Sequence, residues 1–231
     1  MKKMMQLTFF LLMVLCWPAS QVHAEQYSSE LIKVYEATVV LDEMMAIPEK
    51  TIPPSLLANS YGVIIIPGLI KAGFVIGGRH GTGLMAVRDL KGGGWFYPIM
   101  VQLTGGSIGW QIGAESSDVV LVFKKMRSIE AIQKGKFTLG ADASIAAGPI
   151  GRHAEASTDI MLKSEIYSYS RSRGLFAGVS MAGAVISIDH DATWNLYSLP
   201  VSELLSKKNF ANIPDLVIKF NKKISEITNS N

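Results

Sequence analysis

YGVIIIPGLIKAGFVIGGRHGTGLMAV, residues 61–87, decides the fold class. It opens on a β-branched run, Val63, Ile64, Ile65 and Ile66, that Pro67 ends. Branched side chains fit a pleated surface and crowd a helix, so the run reads as a strand. Residues 72–76 and 84–87 are two more strand-length segments, separated by a glycine-rich turn. The same texture continues downstream at residues 95–103, 107–112 and 118–123. The last of these, DVVLVF, is apolar on both faces, which predicts burial on both sides. Further strands are predicted at 137–139, 144–147, 153–157, 167–171 and 175–188.

Glycine recurs throughout this region, at Gly73, Gly77, Gly78, Gly109, Gly113, Gly140, Gly148, Gly174, Gly178 and Gly183. It weakens a strand, so its repeated use points to bulges, sharp curvature or close backbone approach. Gly109 and Gly178 are expected at such positions. The reading is an α+β chain with a strongly curved, barrel-like antiparallel core. A membrane-spanning barrel would alternate strictly between lipid-facing and lumen-facing residues, and these strands do not. Helices are expected on both flanks. Residues 28–46 place Leu31, Val34, Tyr35, Thr38, Val39 and Leu41 near helical spacing, with Ser28 or Ser29 as cap. A short helix is expected at 55–59, another at 125–133, and two more at 200–207 and 214–226. No Pro- or Ser-rich linker divides the chain. The organisation expected is a leader at 1–24, a helical segment at 25–52, a β-rich core at 53–198 and C-terminal helices at 199–231.

The leader has the zones of a secretory signal peptide. Lys2 and Lys3 precede an apolar run, and Val22, His23 and Ala24 form a cleavage triplet. The expectation is export with cleavage after Ala24 and a place in the periplasm or cell envelope. Lipidation at Cys16 is the weaker alternative, because Leu15 rather than a small residue precedes it. Cleavage after Ala24 removes the one cysteine, which excludes a disulfide framework. It also removes Lys2 and Lys3 from the 22 Lys and Arg, leaving 20 against 19 Asp and Glu. A nearly neutral chain has no global field to hold nucleic acid, so any anion binding must be local.

Catalytic patterns are sparse. His80, His153 and His190 are far apart, with no metal-ligand spacing. Asp189-His190-Asp191 reads better as a solvated turn or helix cap than as an ion site. Gly148-Pro149-Ile150-Gly151-Arg152 lacks the Lys-Ser/Thr ending of a phosphate loop and reads as a structural turn. No enzyme, cofactor or metal is expected. Two basic features remain. Strand alternation puts Tyr167, Tyr169, Arg171 and Arg173 on one face, a composition suited to an anionic, partly apolar headgroup. The competing reading is a strand whose arginines pair with acids. On the C-terminal helix, Leu216, Val217, Phe220 and Ile224 make a stripe with Lys219, Lys222 and Lys223 around it. That helix either lies on a membrane or packs its stripe on the core, and ordinary packing is favoured.

Several motifs together resemble the SYLF-domain family. They are Leu56 to Pro67, Lys71-Ala72-Gly73-Phe74, Gly106 to Glu115, residues 118–122, 139–144, 148–152 and 169–178, in order from about Pro53 to Tyr197. The resemblance implies binding to phosphoinositides or other anionic phospholipids. In eukaryotic members it also implies actin regulation alongside SH3 or FYVE modules, neither of which this sequence carries. An export signal argues against the actin role. The acidic residues Glu30, Glu36, Asp42 and Glu43 argue against a membrane-binding basic helix ahead of the domain. The expected function is therefore non-catalytic binding of anionic phospholipid or a membrane surface. The expected contacts are Arg171, Arg173, Tyr167, Tyr169, Arg152 and Lys71, with Lys219, Lys222 and Lys223 as a second patch. The alternative is an envelope interaction protein with a protein partner.

Overall fold

The computed structural model describes residues 28–46, 51–150, 163–172 and 175–229. The expected strands inside residues 61–87 merge into one 26-residue strand, β1 (Gly62–Val87). Its antiparallel partner is β2 (Ile99–Phe123), and the pairing runs from Gly62 opposite Phe123 to Met85 opposite Ile99. The punctuation that looks like strand ends is spent on bulges. One register shift lies between Ile66 and Leu69, and another between Gly73 and Val75. At the first, Pro67 has no N–H to offer a ladder. Gly68 adopts a positive φ of 62° and donates its N–H to Asp118 Oδ1 at 3.0 Å.

The ribbon curls until the two ends of β1 meet. The Arg88 N–H bonds the Tyr61 carbonyl at 3.0 Å. A Cβ on Gly83 would overlap the Ile65 carbonyl oxygen, so glycine is required at that crossing. Two other strands use the two halves of β2. Its first half, at 101–105, pairs with β7 (Ala184–Ile188), which in turn pairs with β3 (Phe137–Thr138). Its second half, at 118–123, pairs with β5 (Ile166–Ser172). The outer edge of β5 carries β6 (Leu175–Gly178) antiparallel and β4 (Ile145–Ala147) parallel. The core is thus a curled sheet, antiparallel except at β4–β5. The expected strand at 153–157 lies outside the described residues.

Six described helices cover this sheet. Helix α1 (Ser29–Met45) starts at Ser28, whose hydroxyl accepts from the Leu31 N–H at 3.3 Å. It buries Val34, Ala37, Val40, Leu41 and Met44. Tyr35 points outward at 58% exposure, so the buried face differs from the expected one. Helix α2 (Pro54–Ala58) leads into β1, and α3 (Met126–Gln133) follows β2. Asp189 caps α4 (His190–Tyr197), with its Oδ1 accepting from the Ala192 N–H at 2.9 Å. The short α5 (Val201–Leu204) precedes α6 (Asp215–Asn229).

The packing of α6 decides one of the sequence alternatives. Val217, Phe220 and Ile224 are fully buried, against α1 and α2. The helix is fixed at its end by Trp95, whose Nε1–H donates to Thr228 Oγ1 at 3.1 Å. The Arg88 guanidinium carbon lies 4.5 Å from the centroid of the Trp95 ring. Arg88 also donates to the carbonyls of Ser60 and Leu57, closing the end of α2.

Candidate anionic-surface site

Strand alternation does put Tyr167, Tyr169 and Arg171 on one face, but that face is not a surface. Tyr169 is fully buried and Tyr167 is 3% exposed. The intervening Ser168 is also fully buried, so β5 is covered on both sides at this point. Burial holds the Tyr169 phenol far above its usual pKa. Arg171 lies at the rim, with its Nη2 2.7 Å from Asp118 Oδ2 and paired also with Glu43. Partial burial opposes its charge, and the hydrogen bonds it donates to Asp118 and Glu43 outweigh that, so its pKa rises. Asp118 uses its other oxygen on the Gly68 bulge. One guanidinium therefore ties α1, β2 and β5 together, with the β1 bulge attached through Asp118. The structure gives Arg171 the acid-paired role that was the alternative to a headgroup contact.

The second patch is also partly committed. Lys223 pairs with Asp42 of α1, and Lys222 lies 3.8 Å from Glu226. Lys219 is exposed. Lys71 is exposed beside Ile70, itself 54% exposed. Arg152 and Arg173 lie outside the described residues.

A dense basic surface among the described residues is one that a helix-oriented reading passes over. Residues 124–136, KKMRSIEAIQKGK, hold five basic residues and a single acid, Glu130. A running charge count along the sequence is the signal that finds it. In the fold the segment is α3 with its flanks. Ile129 and Ile132 anchor the helix inward. Lys125, Arg127, Lys134 and Lys136 are exposed, and so is Lys163. Lys163 is brought to the α3 start because the Lys124 N–H bonds the Glu165 carbonyl at 2.8 Å. Glu165 adds little free negative charge. Its carboxylate takes the Arg127 fork, with Nε at 2.8 Å, and the Ser128 hydroxyl at 3.1 Å. The Arg127 hydrogen bond is the main cause of its lowered pKa.

Beside the far end of α3 opens a cleft of about 420 Å³. Ile188, Pro200, Val201 and Leu205 supply its apolar wall, and Gln133, His190 and Ser202 its polar groups. Among the described residues no three His, Cys, Asp or Glu gather as a metal site would require. No described helix is long and apolar enough to cross a membrane.

Residues 104–223 match the family described as Ysc84, Las17-binding protein actin regulator. That span runs from β2 into α6 and covers more than half of the chain. The chain belongs to the Ysc84 (SYLF) family. An SH3 domain-containing protein of Schizosaccharomyces pombe is 41% identical over 152 residues, 64% of this chain and 35% of the relative. The human SH3 domain-containing YSC84-like protein 1 is 38% identical over 140 residues, 60% of this chain and 40% of the relative. Protein YSC84 of Saccharomyces cerevisiae is 36% identical over 152 residues, 64% of this chain and 32% of the relative. The chain thus spans about a third to two fifths of the length of these curated relatives.

The Ysc84 match contains α3 and the cleft, and most of the Arg171 node. Asp118 and Arg171 fall inside it, as do all of α3 and the seven residues lining the cleft. Glu43, the third member of the Arg171 node, precedes the matched span.

Proposed function

We propose that this Ysc84-family chain is an exported, non-catalytic envelope protein that docks on anionic phospholipid surfaces. One observation carries the reading. A chain with almost balanced charge concentrates exposed cations on α3 and its flanks, and the nearby carboxylate of Glu165 is already taken. Each lysine held near an anionic bilayer contributes about 1 kcal/mol, and the attraction decays within a Debye length. Several exposed lysines on one short segment therefore favour reversible binding that salt weakens.

Vesicle flotation tests this. The wild-type chain is expected to float with vesicles containing phosphatidylglycerol and to stay behind with purely zwitterionic ones. Binding should fall as salt rises from low to physiological strength. Replacing Lys125, Lys134 and Lys136 together by Ser should cut binding several-fold without moving the thermal midpoint, since all three are exposed.

The family description favours a second reading, a protein partner. It names a Las17-binding protein and actin regulator, and several relatives carry SH3 domains by name. Wild-type protein that ignores anionic vesicles at low salt would hand the function to this reading. Cosedimentation with actin filaments then decides whether the family's actin description reaches this chain.

A further inference from the structure

We infer that the cleft at the end of α3 receives an extended, uncharged apolar segment of a protein partner, which pairs with the free edge of β7 and sets a side chain against the apolar wall. This goes beyond membrane docking and does not depend on it. The backbone of β7 (Ala184–Ile188) is the starting point. In an antiparallel ladder, successive residues turn their N–H and C=O groups to opposite neighbours. The odd-numbered residues here face β2: the Asp189 N–H, just past the strand, bonds the Met100 carbonyl at 2.9 Å. The even-numbered residues face β3 (Phe137–Thr138). The Ala184 carbonyl accepts from the Leu139 N–H at 2.8 Å, and Ile186 stands opposite Phe137. Ile188 is next in that series, and the same register puts Gly135 opposite it. Gly135 does not pair there because it ends α3. Its N–H bonds the Ile132 carbonyl at 3.2 Å, as the Lys134 N–H bonds that of Ala131 at 3.1 Å. No described backbone group bonds Ile188 on that side, so the edge ends with its N–H and C=O free.

Ile188 also lines the cleft, together with Gln133, the last residue of α3. The free edge and the cleft thus meet where α3 has ended and β3 has yet to begin. The cleft volume, about 420 Å³, falls within the range of ligand sites, about 300 to 1,000 Å³. Val201 and Leu205, from α5 and its cap, supply much of the apolar wall. The polar lining groups are Gln133, His190 and Ser202, and none of their side chains bonds a described residue. An amide, an imidazole and a hydroxyl can each donate and accept, as a peptide group does. No carboxylate, ammonium or guanidinium lines the cleft. A charged occupant would therefore lose water and gain no counter-charge. A small neutral molecule would use the wall and leave the Ile188 edge unpaired. An extended peptide uses both, with its main chain on the edge for affinity and a side chain in the cleft for selectivity.

The test uses mature protein and a phage-displayed library of random decapeptides. The dominant selected sequence is then synthesised with both ends blocked. Selection should enrich uncharged aliphatic runs, and calorimetry should show one-to-one binding of the synthetic peptide. Its backbone nitrogens are methylated one at a time. Methylation should weaken binding at least about tenfold at one position and little at the two neighbouring ones, since only alternate N–H groups face the edge. Ser202→Phe and Gln133→Trp fill the cleft from exposed lining positions. Each should abolish peptide binding while the thermal midpoint and vesicle flotation stay as in wild type. Peptide binding by protein that ignores vesicles supports this inference and removes the membrane reading. No enrichment over a protein-free control overturns the inference, as does a flat methylation profile or binding that survives both cleft variants. Self-association of the wild-type chain that Ser202→Phe abolishes would give the cleft to a second copy and overturn the assignment to a partner.

Discussion

Gly148 shows what a single missing methyl group does in this molecule. Its N–H bonds the Ser168 carbonyl at 2.9 Å, and a Cβ there would land within the Tyr169 ring. Tyr169 is fully buried and cannot swing away without disturbing the core. Gly148→Ala should therefore destabilise by about 1–3 kcal/mol, the usual cost of overpacking. Gly106→Ala is the control, since nothing lies within 4 Å of a Cβ there. Equal thermal midpoints for the two variants would contradict this account. Asp89 gives a second residue-scale test. The Gly92 N–H and the Lys208 ammonium are the chief causes that hold its carboxyl down to about 2. A depressed acid stabilises the fold above its unfolded pKa of 3.8 and loses that contribution as pH falls through about 2. Asp89→Asn should cost about 1 kcal/mol at pH 7 after allowance for solvent screening. The gap between variant and wild type should narrow below pH 4 and close near pH 2 in acid-denaturation curves. A gap that stays constant across that window would assign the loss to packing instead.

At the scale of elements, the Arg171 node explains how α1 is held. Glu43 and Asp42 of α1 reach Arg171 of β5 and Lys223 of α6, while Glu30 accepts from Asn195 of α4 at 3.3 Å. Arg171→Ser strands Glu43 and Asp118 without their common cation. It should destabilise the fold by about 1–3 kcal/mol and accelerate amide exchange in α1 before other helices. Reduced vesicle binding with unchanged stability and exchange would instead restore Arg171 as a headgroup contact. The same elements show what a sequence can and cannot disclose. The strand character of residues 61–87 and 118–123 was readable because β-branched runs have few other homes. Their continuity was not, because Pro67, Gly68 and Gly73 signal a chain end and a bulge alike. Alternation placed Tyr167, Tyr169 and Arg171 together, but period-2 logic says nothing about which face is covered, and β5 is buried on both. The stripe on α6 was visible, and its partner was not: long-range packing set it against α1 and α2. Helix α4 was anticipated only through its cap, Asp189, since residues 190–197 lack a clean apolar period. The basic run at 124–136 was legible from composition alone and is obscured when only its helical period is read.

For the whole molecule, near-neutrality makes surface distribution more important than total charge. The acids of α1 serve internal clasps, while the cations of α3 face outward. Membrane docking by such a surface is reversible and salt-sensitive, whereas an acyl anchor would hold the protein at any ionic strength. Processing at the N-terminus therefore determines which regime applies, and residues 1–27 lie outside the described structure. The triplet Val22-His23-Ala24 leads us to propose cleavage before Glu25, giving a product that carries no cysteine. Intact mass of the exported protein is expected to match a chain beginning at Glu25, with no added acyl mass. Its flotation with anionic vesicles should then be reversed by high salt. A mass corresponding to a diacylglyceryl group on Cys16, together with salt-resistant flotation, would contradict this. Under that outcome α3 would no longer supply the attachment. It would only orient an already tethered domain, and replacing Lys125, Lys134 and Lys136 by Ser would leave flotation of the native protein unchanged.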